Sequence, residues 1–161
     1  MRILFLAGVL IAVPIAAAEA TDDPQLTRLA TCQDSWVEWK SGDPTRLNQL
    51  VSRIQAEFTE AKFGAYTPKS SLAVLGFPVA QVYPESVGMG VGFSVVVNAT
   101  FDAVKAALGK TLGKPLKCEK PSDNMRTCGL EIADKKTIML MAEDNPKATT
   151  TLFGCYYFYE K

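Results

Sequence analysis

Four cysteines, at positions 32, 118, 128 and 155, constrain this chain more than any other feature, because of what precedes them. Met1-Arg2 is a short positive start. Ile3 to Ala17 is apolar with one proline at 14, and Ala18-Glu19-Ala20 is an A-x-A cleavage site. That pattern reads as a secretory signal peptide over residues 1–20. The working chain then begins at Thr21, in an oxidising compartment where cysteines pair. Residues 21–161 have the length of a single domain with a sizeable core, so disulfides reinforce the fold and do not replace its core. Leu29-Ala30-Thr31-Cys32 loosely matches a lipobox. The polar stretch Thr21-Asp22-Asp23-Pro24-Gln25 separates it from the apolar region, which argues against lipidation.

Four cysteines allow three pairings. Cys118 and Cys128 bracket the polar stretch from Glu119 to Thr127, and closing that loop is the local solution. Cys32 with Cys155 then ties the N-terminal region to the last strand-like run. A short closed loop of this kind typically contributes about 2–4 kcal/mol. Zinc is disfavoured: Cys118 and Cys128 are too far apart for a C-x-x-C knuckle and the chain has no histidine. No metal and no cofactor is expected.

Residues 23 to 63 carry helical periodicity, and residues 72 to 159 mostly alternate. Asp23-Pro24 is an N-cap followed by proline at the first helical position. Leu26, Leu29, Cys32, Trp36 and Trp39 form one apolar stripe, ended by Ser41-Gly42. Asp43-Pro44 repeats the start signal, and Leu47, Leu50, Val51, Ile54, Phe58 and Ala61 form a second stripe closed by Gly64. A short turn between the two predicts a helical hairpin. Gly64 to Ser71 reads as a linker. Leu75 to Tyr83 reads as a strand, with Pro78 marking an edge or a bulge. Val91, Phe93, Val95 and Val97 alternate with Gly92, Ser94, Val96 and Asn98, a half-buried strand. Thr100 opens a third helix through Phe101, Val104, Ala107 and Leu108, ended by Gly109 or Gly113. Cys128 to Ile132 and Ile138 to Ala142 flank Asp134-Lys135-Lys136 as a hairpin. Leu152 to Tyr159, apolar on both faces, reads as a central strand. The fold expected is a single α+β domain over 21–161. An N-terminal helical hairpin and one further helix pack on an antiparallel sheet, braced by disulfides.

Chemistry is sparse. Arg2 and Glu19 leave with the leader, so the balance between 17 basic and 17 acidic residues persists. No net field steers the protein toward nucleic acid or an anionic membrane. No later segment approaches the roughly 20 apolar residues of a membrane span. Without histidine there is no Ser-His-Asp triad, Cys-His pair or imidazole ligand, and no serine has a lysine three residues on. Gly88-Met89-Gly90-Val91-Gly92 precedes a strand, where a phosphate cradle needs a helix. These absences predict a binding protein that is not an enzyme. The strongest recognition candidate is the loop between Cys118 and Cys128. Asp123 and Asn124 supply polar specificity, Met125 an adaptable apolar tip, and Arg126 a multidentate donor. A second candidate is Tyr83-Pro84-Glu85 with Met89, a connection between strands that carries an exposed aromatic.

The segment Leu152-Phe153-Gly154-Cys155-Tyr156-Tyr157-Phe158-Tyr159-Glu160-Lys161, the run from Val95 to Val104 and the two-cysteine loop together resemble small exported immunity proteins. Such proteins pair with antibacterial effectors in bacteria that kill neighbours by contact-dependent secretion. The resemblance is one of size, export and layout, and it assigns no residue a role. It implies a periplasmic protein that binds one toxic cell-envelope-targeting effector enzyme and neutralises it by stoichiometric occlusion. The alternative reading is an exported small-ligand module with an apolar, aromatic pocket between helices and sheet, lined by Trp36, Trp39 and tyrosines.

Overall fold

The computed structural model describes residues 20–36, 44–87 and 90–158. All of the expected leader except Ala20 lies outside the described residues, as do Trp39, Met89 and Tyr159. Asp23 caps the first helix, α1 (Pro24–Ala30), its carboxylate accepting from the Gln25 and Leu26 amides at 3.0 and 2.9 Å. The apolar stripe predicts a helix continuing through Trp36, yet α1 has only 7 residues. It ends in a Schellman motif whose left-handed position, ordinarily glycine, is Cys32 at φ 61°. The Gln33 amide donates to the Arg28 carbonyl at 2.9 Å and the Cys32 amide to that of Leu29 at 3.4 Å.

Ties to the sheet explain the early stop. Cys32 is bonded to Cys155 with the Cα atoms 5.1 Å apart. The Asp34 carbonyl accepts the Tyr157 hydroxyl, and Trp36 Nε1 donates to the Gly92 carbonyl at 3.1 Å. Together these outweigh helical propensity. The second helix, α2 (Thr45–Glu57), also stops early: β2 (Phe58–Glu60) and β3 (Tyr66–Pro68) form a small hairpin where the end of a helix and a linker were expected. The expected N-terminal helical hairpin is therefore corrected: the fold is mostly sheet, with three α-helices among the described residues.

The strands β1 (Thr21–Asp22), β4 (Leu72–Val74), β5 (Phe77–Val87), β6 (Gly90–Val97), β7 (Lys117–Cys118), β8 (Met125–Ala133), β9 (Lys136–Glu143) and β10 (Thr151–Phe158) lie in the order β1-β4-β5-β6-β10-β9-β8-β7. β3 joins β5 through Tyr66 opposite Val82. Every pairing is antiparallel except β1 with β4. A bulge between Val79 and Gln81 follows Pro78. α3 (Phe101–Leu112), closed by Gly113 at φ 65°, carries the chain from β6 across to β7 and β8. The meander β8-β9-β10 then returns, and β10 settles between β6 and β9, the central place its two-sided apolar pattern predicts.

The helices lie on one face of the sheet. Leu26, Leu29, Leu50, Ile54, Val104 and Leu108 form a single buried cluster with Val91, Phe93, Val95 and Val97 of β6, Ile138 and Leu140 of β9, and Phe153, Cys155 and Tyr157 of β10. Arg53 clamps α2 to the start of α1: its guanidinium binds the Asp23 carboxylate, with further bonds to Gln25 Oε1 at 2.6 Å and Glu57 Oε2 at 2.9 Å. The second disulfide joins the register pair Cys118 and Cys128 across β7 and β8, with Cα atoms 3.9 Å apart. Both expected pairings are formed. No helix among the described residues is long and apolar enough to cross a membrane.

Candidate functional site

Side chains alternate across a strand, so the register that buries Phe93, Phe153 and Leu140 turns their neighbours to the opposite face. There Gln81, Val96, Leu152, Met141 and Thr127 form one row across five strands, and Tyr83, Ser94, Gly154, Met139 and Gly129 form the next. Val96, Leu152, Met139 and Met141 are half-buried and lie outside the helix-covered cluster. The middle of this face is flat: Gly154 sits so close to β6 that a Cβ there would lie 2.4 Å from that of Ser94. A Cβ at Gly92 would meet the Tyr156 ring at 2.7 Å, so the tyrosine lies over that glycine.

A polar group borders the apolar strip. The fully buried Ser94 donates from Oγ to Glu85 Oε1 at 2.7 Å, and Ser94 also bonds Tyr156. Burial, joined by the Glu85 charge, raises the Tyr156 pKa above the ordinary tyrosine value, against the opposing effect of its hydrogen bond with Ser94. A phenol held protonated in this way is a donor and not a base. Tyr83 donates to Gln81 Oε1 at 2.9 Å on the same strand. Tyr83 and Glu85, both singled out in the sequence, thus belong to the open face.

The two-cysteine loop is built differently from an even recognition tip. Ser122 and Met125 exchange backbone hydrogen bonds at 2.8 and 3.2 Å around Asp123 and Asn124, whose φ values of 51° and 60° make a type I′ turn. The Asn124 carbonyl accepts from the Asp144 amide at 2.7 Å, fixing the turn to the end of β9. Asp123, Asn124 and Met125 line an open depression of about 520 Å³ with Glu143, Asp144 and Asn145. Arg126 points the other way. Its guanidinium sits 4.2 Å above the Phe101 ring and donates to Asp102 at 2.8 Å. Met125 shares the open face with Tyr83, but four interstrand steps of about 4.8 Å separate their strands. The sequence-derived residues therefore do not converge on one point. They frame a sheet face, with Arg126 behind it and Met89 outside the described residues.

Sequence reasoning missed Phe63. It stands in the turn of the β2–β3 hairpin and is 97% exposed, far more than any other large apolar side chain among the described residues. Its backbone is left-handed at φ 60°, a conformation that costs a non-glycine residue roughly 1–2 kcal/mol. The signal was hidden because Phe58 and Ala61 fit a helical stripe as well as a hairpin base. A second depression, between α1 and α2, is polar: Asp34 bridges Arg46 and Arg28 beside Trp36. Among the described residues no three acidic or cysteine side chains gather as a metal site. Comparison with protein-family models, with curated proteins and with solved structures finds no match.

Proposed function

We propose that this is an exported, periplasmic immunity or inhibitor protein that neutralises a toxic cell-envelope-targeting enzyme by stoichiometric binding. The observation that carries this reading is the sheet face that no described helix covers. It has the make-up of a protein interface: Met139, Met141, Leu152 and Val96 in the middle, tyrosines beside them, and Gln81, Glu85 and Thr127 at the margin. Methionine and tyrosine are enriched, and charge depleted, at interface centres. Five strands span roughly 19 Å, a scale that suits a standard protein contact of about 800 Å² per partner once the flanking loops join it. The two disulfides suit an oxidising compartment. The ligand-module alternative has less support, because the space between helices and sheet is taken by Phe93, Phe153, Leu26 and Leu108, all at 0% exposure.

The test is capture from an envelope extract with the immobilised full chain under non-reducing conditions, read by mass spectrometry. Recovery of one enzyme at near-equal stoichiometry, with its activity suppressed and its retention lost in Met141→Glu, supports the proposal. A co-purifying small molecule or glycan with no protein would sink it.

A further inference from the structure

Alternation along β5, β6, β10, β9 and β8 sorts charges as well as apolar side chains. Glu85, Gly92, Tyr156, Thr137 and Glu131 form one row on the face that no described helix covers, and Glu143 follows Met141 on the same face. Every charged position on that face of these five strands is thus acidic. The two basic residues in the same strands, Arg126 and Lys136, stand on the other face, against the rings of Phe101 and Tyr157. Lys117, opposite Gly129 at the β7 edge, is the first cation beyond the acidic face, and Glu119 stands two residues on. Lys110, Lys114, Lys117 and Lys120, all exposed, follow one another from the end of α3 through β7. The equal totals of 17 acids and 17 bases therefore conceal a division between an acidic sheet face and a basic edge.

Glu85 differs from the other two in being half-buried and held in place. Its Oε1 accepts from Ser94 Oγ at 2.7 Å, and Ser94 is 0% exposed. None of Glu85, Glu131 and Glu143 has an ion pair among the described residues; those pairs are made by arginines with Asp23, Asp34, Glu57 and Asp102. An apolar cover over this face would bury the Glu85 charge with no counter-ion, which is unfavourable. A cation on the cover removes that penalty, and a carboxylate already fixed by Ser94 receives it with little further ordering. Sign decides among the occupants. A second copy laid face to face would bring glutamates against glutamates, and an anionic lipid surface would repel the same three charges. A protein with a basic contact surface complements both the margin and Glu85.

We infer that the protein bound by this sheet face meets it with a basic surface, a lysine or arginine of that protein pairing with Glu85 while further cations face Glu131 and Glu143. The inference rests on the protein-binding reading above and adds the partner's charge, which that reading leaves open. Opposite potentials of this kind speed encounter and select among partners.

The experiment purifies the enzyme retained from the envelope extract and follows its association with the full chain by surface plasmon resonance, from about 50 to about 500 mM salt. The variants are Glu85→Gln, which keeps an oxygen for Ser94, the exposed pair Glu131→Gln with Glu143→Gln, and Lys110→Gln with Lys114→Gln as a control on the basic edge. Association of the parent is expected to slow by about 10-fold or more across that salt range. Glu85→Gln weakens binding by about 30-fold or more, chiefly through faster dissociation. The exposed glutamate pair slows association by about 3–10-fold at low salt and by little at high salt. The lysine control binds as the parent does. Binding that ignores salt and both glutamate variants, with Met141→Glu still impaired, overturns this inference and leaves the protein-binding reading standing. Faster association in the exposed glutamate pair means an acidic partner and also overturns it. So does an oligomer of the parent in the ultracentrifuge that is lost in both Glu85→Gln and the lysine control, since the cations then belong to a second copy. A lower melting temperature in Glu85→Gln leaves the decision to the exposed pair, whose unchanged association rate overturns the inference. Retention of no protein by the parent removes both readings.

Discussion

Arg126 holds its guanidinium 4.2 Å above the ring of Phe101. The same group reaches Asp102, so one side chain on β8 fixes the first turn of α3 to the sheet. This position reads in the sequence as a partner contact, and its geometry makes it a clamp within the fold.

Replacing Arg126 with Met is accordingly expected to loosen α3. The ring contact is worth about 0.5–1 kcal/mol at a part-exposed site, and methionine keeps much of the apolar stem. A fall of a few degrees in melting temperature, with partner affinity unchanged, is the expected result. A loss of affinity at unchanged stability would return Arg126 to the interface.

The two disulfides should differ in what they contribute. Cys32–Cys155 spans 123 residues and Cys118–Cys128 spans 10. Chain-entropy arguments put these at about 4.9 and about 2.7 kcal/mol respectively. Denaturant unfolding of the paired serine variants should therefore show the larger loss for Cys32→Ser with Cys155→Ser. That variant also frees the left-handed residue that ends α1 and the link that draws residues 31–36 onto the sheet. Equal losses would mean that the loop-closure argument does not govern this fold.

Much of the C-terminal half was legible because its signals are local. Val91, Phe93, Val95 and Val97 alternate without interruption, Gly109 and Gly113 both offered a stop for α3, which the helix takes at Gly113, and Asp134-Lys135-Lys136 reads as a turn between its flanking strands. Both disulfides followed from closing the polar loop that Cys118 and Cys128 bracket and pairing Cys32 with Cys155 in the buried last strand. In the N-terminal half the starts of both helices were legible, but the points at which they end were not, for a physical reason. Leu26, Leu29, Cys32 and Trp36 satisfy helical spacing, but the last two are bound to Cys155 and to the Gly92 carbonyl, and no local pattern announces those contacts. Phe58 satisfies both a helical stripe and the base of a hairpin. The open face was readable only in part: Tyr83 and Glu85 were visible as residues, whereas their alignment with Ser94 and Tyr156 needed the register of β10.

Acid should weaken the junction of α1 and α2. Burial alone pushes the Asp23 carboxyl up, but Arg53 and the amides of Leu26 and Gln25 outweigh it and hold the pKa below the ordinary value of 3.8. A depressed folded pKa stabilises the protein fully above the unfolded value, and that contribution is lost as pH falls through the folded one. Unfolding free energy measured from pH 6 down to pH 2 should thus decline below about pH 4. Asp23→Asn should flatten that part of the curve. Arg53→Ala should cost about 2–3 kcal/mol at neutral pH by leaving a buried carboxylate without its counter-ion. A pH profile unchanged by Asp23→Asn would show that other carboxylates set the acid limit.

Alkali should act through Tyr157. Burial, aided by the nearby Asp34 charge and opposed by a hydrogen bond with Ser35, pushes this phenol up to about 12 from an ordinary value of 10.0. Its hydroxyl donates to the Asp34 carbonyl, beneath the segment that Cys32 ties down. A raised folded pKa has the opposite consequence to that of Asp23. The contribution is whole below pH 10 and is lost as pH rises toward 12, because the unfolded chain releases its proton first. Between those limits stability should fall by up to about 1.4 kcal/mol per pH unit from this group alone. Tyrosinate absorbance near 295 nm should show one fewer late-titrating phenol in Tyr157→Phe, and the alkaline slope of its unfolding free energy should be shallower. If Tyr157→Phe titrates and unfolds in alkali as the parent does, the bond between Tyr157 and Asp34 is not what holds residues 31–36 on the sheet.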